Sequence, residues 1–205
     1  MKKNLIYIII SFIITSCTDD YDLEKSVFIY DSEYKNLPEY SEWGYNTFGA
    51  YYDRKVFVSN DSEIPLKIIS TNNSTSFIFK GQLNNQSSSY YSSGYYDADM
   101  TMKLTLNNYS VLTYNQLIEL NDSIINLNSS DCAITLIIDN DTLPTTILNG
   151  EFEFKKVQNL LVDNEPIEVI LSGLFDFQVL IGDEPTSISN GRFDIGIGES
   201  NFYNY

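Results

Sequence analysis

Apolar residues recur at every second position along much of the chain. The longest such run is Val169, Leu171, Gly173, Phe175, Phe177, Val179 and Ile181. Side chains of a strand alternate between its two faces, so this run predicts a long strand with one wholly apolar face. Met100, Met102, Leu104 and Leu106 alternate with Thr101, Lys103 and Thr105. Cys132, Ile134, Leu136 and Ile138 alternate in the same way with Ala133, Thr135 and Ile137. Further strands are predicted near 45–52, 55–59, 64–70, 75–83, 142–148, 151–158 and 186–198. A helical period of about 3.6 residues is confined to a turn or two around Tyr114 to Leu120. Many short strands separated by turn residues predict an all-β domain, an antiparallel β-sandwich or a barrel-like variant, over 26–205.

A weak recurrence lies within this pattern. Ile147-Leu148-Asn149-Gly150-Glu151-Phe152-Glu153-Phe154 is echoed by Ile170-Leu171-Ser172-Gly173-Leu174-Phe175-Asp176-Phe177 and by Ile188-Ser189-Asn190-Gly191-Arg192-Phe193-Asp194-Ile195. In each copy the glycine shares parity with the apolar residues two and four positions later. That parity predicts an inward-facing glycine within a strand, leaving room for a neighbouring aromatic ring. The competing reading makes Asn149-Gly150 and Asn190-Gly191 hairpin turns. The strand reading is favoured because the second copy alternates straight through Gly173.

The first residues depart from the β pattern. Met1-Lys2-Lys3-Asn4 is a short basic start, followed by the apolar run Leu5-Ile6-Tyr7-Ile8-Ile9-Ile10-Ser11-Phe12-Ile13-Ile14. A run of about ten residues suits a signal peptide, whereas a bilayer-spanning helix needs roughly 20. Ile14-Thr15-Ser16-Cys17 then resembles a lipobox, in which the cysteine thiol receives diacylglyceryl before cleavage; Thr15 is a tolerated departure. An ordinary secretory site wants an A-x-A pattern, and no alanine precedes Ala50. The predicted organisation is a lipoprotein signal peptide over 1–16, a lipidated Cys17 with an acidic tether over 17–25, and one β domain over 26–205. Two acyl chains anchor stably where one does not, at about 0.8 kcal/mol per buried methylene. Lipid on Cys17 therefore makes the membrane a partner without help from the domain.

Composition narrows the chemistry. The chain carries 28 Asp and Glu against 12 Lys and Arg, a net charge of −16. That field repels phosphate backbones, so nucleic acid is not an expected partner. Histidine is absent, which removes Ser-His-Asp and Cys-His catalysis and His-ligated zinc. Of the two cysteines, Cys17 is taken by lipid, so Cys132 stands alone and no intrachain disulfide is expected. Its parity with Ile134, Leu136 and Ile138 predicts a buried thiol.

The run Thr18-Asp19-Asp20-Tyr21-Asp22 after the lipobox resembles the surface-export signal of lipoproteins from Bacteroidota. With Tyr45-Asn46-Thr47-Phe48-Gly49-Ala50-Tyr51-Tyr52 and Gly191-Arg192-Phe193-Asp194, the chain resembles small uncharacterised surface lipoproteins of that group. The resemblance implies a β-rich extracytoplasmic domain on the outer membrane, facing outward, and brings no activity or catalytic residue. Asp122-Ser123-Ile124 and Asp141-Thr142-Leu143 look like the three-residue O-glycosylation acceptor of Bacteroidota.

Candidate chemistry centres on Tyr90, Tyr91, Tyr95 and Tyr96, set among serines and Gly94. This is the composition of antibody binding loops, where tyrosine supplies rigid amphipathic contact and serine adaptable polar contact. The plainer reading packs these rings on an adjacent sheet. Glu151 and Glu153 share a strand face about 6.6 Å apart, at roughly 3.3 Å per residue. That is within the range of paired glycosidase carboxylates, although ordinary alternation also explains it. Asp139-Asn140-Asp141 begins like a calcium loop but lacks its glycine and distal glutamate, so a polar turn is expected and no metal or cofactor. The sequence thus points to a monomeric, lipid-anchored binding module for a glycan or a surface protein. The alternatives are a carboxylate-dependent glycosidase and a structural surface-coat protein with no specific ligand.

Overall fold

A computed structural model describes residues 26–59, 64–85, 98–107, 112–162 and 165–205. Cys17 and the rest of 1–25 lie outside the described residues. The strands are β1 (Thr47–Tyr52), β2 (Lys55–Val58), β3 (Leu66–Thr71), β4 (Ser74–Asn85), β5 (Ala98–Asn107) and β6 (Ser123–Asn126). They continue with β7 (Cys132–Ile138), β8 (Asp141–Leu143), β9 (Thr145–Val162), β10 (Glu165–Ile181), β11 (Glu184–Ile197) and β12 (Phe202–Asn204). Their order is β6-β9-β10-β11-β1-β2-β4-β5-β7-β8. β3 continues β2 along one edge of β4, and β12 lies parallel on β3. The expected all-β antiparallel class is adopted in its barrel-like form, as one curled sheet that makes a half-barrel. β8 runs through Pro144 into β9, and the Thr145 hydroxyl donates to the Ile134 carbonyl of β7. This contact draws the two ends of the strand order together.

Alternation places the core. Met100, Met102, Leu104 and Leu106 are all buried, as are Val169, Leu171, Phe175, Phe177 and Val179. Nine phenylalanines contributed by six strands fill the interior, Phe48, Phe57, Phe77, Phe79, Phe152, Phe154, Phe175, Phe177 and Phe193. Phe152 stacks on Phe175 at 5.4 Å and 11°, and on Phe193 at 5.2 Å and 24°. Full burial of each such ring contributes about 1.5–3 kcal/mol. The helical turn expected at Tyr114 is a 3-10 helix over Tyr114–Leu120. Its Leu117 and Leu120 close one end of the half-barrel, and the Tyr114 hydroxyl donates to the Ile197 carbonyl at 2.7 Å.

The glycine recurrence is architectural. Gly150, Gly173 and Gly191 all lie inside strands, and Asn149-Gly150 and Asn190-Gly191 are not hairpin turns. In register, Gly150 faces Phe177, Gly173 faces Phe154 on one side and Phe193 on the other, and Gly191 faces Phe175. Each glycine leaves a gap that a ring on the next strand fills. The strands predicted separately at 142–148 and 151–158 are consequently joined, so that one strand, β9, runs from Thr145 to Val162. Asp139 and Asn140, both at positive φ, make the polar turn between β7 and β8.

Parity placed Cys132 correctly but overestimated its burial. It opens β7 at the strand end and is half-buried, packed on the margin of the core. Burial, and then the Asp131 charge, push its thiol pKa up, so thiolate is scarce near neutrality. A thiol reagent at neutral pH should modify Cys132 several-fold more slowly in the native protein than in urea. Equal rates would contradict this placement.

Candidate functional site

The hairpin turns fall at one end of the half-barrel. Asp53 and Arg54 link β1 to β2, Asp139 and Asn140 link β7 to β8, and Gly182 and Asp183 link β10 to β11. β4 ends and β5 begins at the same rim, since Lys55 pairs with Asn85 and Leu83 with Ala98. The tyrosine-rich segment holding Tyr90, Tyr91, Tyr95 and Tyr96 lies outside the described residues, between those two strand ends.

The β1–β2 turn is stitched to β11. Asp53, at φ 51°, donates its N–H to the Ser187 carbonyl at 2.8 Å. Its carboxylate accepts the Ser187 N–H at 2.9 Å. Beside this stitch is an open depression of about 700 Å³, lined by Tyr52, Arg54, Lys55, Ile181, Glu184 and Thr186 together with Asp53. Burial, then the Asp53 charge, raises the Tyr52 pKa against the lowering hydrogen bond to Thr186, so the phenol stays protonated. Arg54 and Lys55 are exposed, and neither forms an ion pair among the described residues. The lining therefore offers one aromatic face, two exposed cations, two carboxylates and a hydroxyl. Such a surface can meet a polar ligand through hydrogen bonds of both senses.

Other predicted residues fall elsewhere. Glu151 and Glu153 share the outer face of β9, away from the depression, and Glu153 pairs with Lys155 at 3.4 Å. Among the described residues no group of three or more acidic or cysteine side chains could hold a metal ion. Thr142 is exposed beside its turn, whereas the Ser123 hydroxyl is buried and has no partner among the described residues. Of the two acceptor-like triplets, only the one at Thr142 is accessible.

Sequence reasoning missed a second feature, the covering of the outer face of β10 and β11 by residues 26–46. Tyr30 bridges Pro38, and Val27 donates to the Tyr45 carbonyl at 2.8 Å, so the segment doubles back on itself. Two side chains of β11 fasten it. Arg192 bonds Asp31 at 2.5 Å and lies over the Tyr34 ring at 4.5 Å. Burial acts to raise the Asp31 pKa. The N–H groups of Tyr34 and Glu33, and then Arg192, outweigh burial and hold the pKa down. Asp194, 1% exposed, accepts the N–H groups of Trp43 at 3.1 Å, Gly44 at 2.7 Å and Tyr45 at 3.2 Å. It also accepts the hydroxyls of Ser172, at 2.8 Å, and Ser41. Gly191-Arg192-Phe193-Asp194 is thus a composite fastening. Gly191 and Phe193 serve the core, while Arg192 and Asp194 hold the N-terminal segment.

The clamped loop presents Trp43, the single tryptophan of the chain, 72% exposed. Its signal in the sequence was faint, because it sits outside any strand pattern. No helix among the described residues is long and apolar enough to cross a membrane. No protein-family model matches the chain, and no curated protein or solved structure matches it.

Proposed function

We propose that the mature chain is a lipid-anchored binding module of the outer membrane. Lipid on Cys17 holds it there, facing the cell surface, and it engages a glycan or a surface protein through its turn rim. The observation that carries this reading is the depression lined by Tyr52, Arg54 and Lys55 beside Asp53 and Glu184. Two exposed cations beside two carboxylates, a phenol and a hydroxyl can meet a hydroxyl-rich ligand with hydrogen bonds of both senses. The rim is built from hairpin tips on a rigid, aromatic-filled sheet, the usual way a stable scaffold presents recognition loops.

The test is a screen of the full mature protein in detergent against arrays of glycans and surface proteins, followed by rim variants. Arg54→Ala with Lys55→Ala should weaken a binder about tenfold or more, the scale of an interface hot spot. The thermal midpoint should stay unchanged, because both side chains are exposed. Replacing Tyr90, Tyr91, Tyr95 and Tyr96 with Ser should also weaken binding while sparing the fold. Full affinity in both variants would refute the rim as the binding site, and arrays without a single binder would favour a coat protein.

A further inference from the structure

The two ends of the half-barrel differ in chemistry. The turn rim carries Asp53, Arg54, Asp139, Asn140, Asp183 and Glu184. Among the described residues, none of the exposed large hydrophobic ones lies in its turns. At the opposite end, β9 meets β10, β11 finishes at Ile197 and β3 turns into β4. Trp43 at 72%, Leu161 at 56% and Tyr205 at 73% are exposed there, together with Val27, Ile118 and Ile167. Strand register, a hydrogen bond and packing place the three most exposed of these. Leu161 pairs with Pro166 at the far tip of β9 and β10. Tyr205 donates to the Ser70 carbonyl near the end of β3. Gly44, next to Trp43, packs beside Ile170 and Gly196.

The chain also enters the domain at this end. Val27 bonds Tyr45, and the adjacent Asn46 accepts the Gly196 N–H at 3.0 Å, one residue before β11 ends. Residues 17–25 separate that entry from Cys17. Nine residues extend to at most about 30 Å, at roughly 3.3–3.6 Å each.

We infer that the apolar end rests on the lipid bilayer that Cys17 enters, with Trp43 at headgroup level, and that the turn rim points away from it. The inference rests on the anchored reading of Cys17. A bilayer surface fits for three reasons. Six of the ten exposed large hydrophobic side chains among the described residues gather at this end, and such a patch marks an interaction surface. Tryptophan, apolar with one polar N–H, favours the membrane–water boundary. The short tether keeps this end at high effective concentration near the headgroups, so modest contacts suffice. The charge of −16 supplies no attraction to an anionic surface, so the contact rests on the apolar side chains, which a zwitterionic bilayer isolates.

Trp43 is the only tryptophan, so its emission reports this contact alone. The full lipidated protein is reconstituted in phosphatidylcholine vesicles with and without dibrominated acyl chains. Compared with unlipidated Cys17→Ser in buffer, the vesicle-bound protein should emit at shorter wavelength and resist acrylamide. Bromines should quench about half of its emission or more. Val27→Ser with Leu161→Ser and Ile167→Ser should float with the vesicles yet lose most of that quenching. Protein that floats with Trp43 unquenched by bromine and open to acrylamide would overturn this inference and leave the anchor standing. So would a ring that answers cellohexaose, maltohexaose or chitohexaose but not lipid. Wild type that does not float at all would overturn the anchored reading, and this inference with it.

Discussion

Asp194→Ala should lower the stability of the domain by about 3 kcal/mol or more, because one buried carboxylate gathers three backbone N–H groups and two hydroxyls. Hydrogen bonds to a charged group are each worth about 1.5–3 kcal/mol, but their sum overstates the loss. The 41–45 loop lies at the surface, so its freed N–H groups can recover water once it lifts. The Ser172 hydroxyl, fully buried on β10, recovers less. Asp194→Asn keeps the shape, loses the charge and turns one acceptor into a donor, so it should fall between wild type and alanine. Urea unfolding followed by far-UV dichroism gives the midpoint, and Trp43 emission gives the state of the loop. Proteolysis within 26–46 should become faster in both variants. An unmoved midpoint with an unchanged Trp43 signal would show that the fastening is incidental.

Gly173→Ala should cost about 2–3 kcal/mol by overpacking, with little prospect of relaxation. A methyl there would lie 2.0 Å from the Glu153 carbonyl oxygen and 2.5 Å from the Phe193 ring. The ring could turn. The carbonyl belongs to β9, which is held to β10 along most of its length, so the strands themselves must part. Gly191→Ala supplies the contrast. The three atoms nearest its methyl would all belong to the Phe175 ring, at 2.3–2.4 Å, and Gly191→Ala with Phe175→Leu should recover part of the loss. Thermal denaturation of the three variants measures the difference. A Gly173→Ala protein as stable as wild type would mean that the interlocking of glycine and phenylalanine is looser than the register implies.

Much of the architecture was legible in the chain, and the reason is the two-residue period. Val169 to Ile181 and Met100 to Leu106 each have one buried face, and no helical pattern imitates such an alternation. The glycine recurrence was readable because a missing side chain has a parity as definite as a present one. Short strands without alternation, β6 and β12, were not anticipated, and β8 was merged with the start of β9 in the strand predicted near 142–148, since three or four residues carry too little period. Ser172, Arg192 and Asp194 have the parity of solvent-facing residues, yet all three are buried beneath 26–46. Parity reports the face of a strand and says nothing of what a distant segment lays over it. The depression was hidden for a similar reason. Tyr52, Arg54 and Lys55 meet Glu184 and Thr186 only because β1 pairs with β11, across more than a hundred residues of chain.

The proposed anchor at Cys17 underlies the proposed address, orientation of the domain and outward rim. Its most direct measurement is metabolic labelling with palmitate of wild type beside Cys17→Ser, followed by separation of membranes. Wild type should carry the label and sediment with the membrane fraction, and Cys17→Ser should lose the label and appear in the soluble fraction. A Cys17→Ser protein that still labels and still sediments would contradict the account.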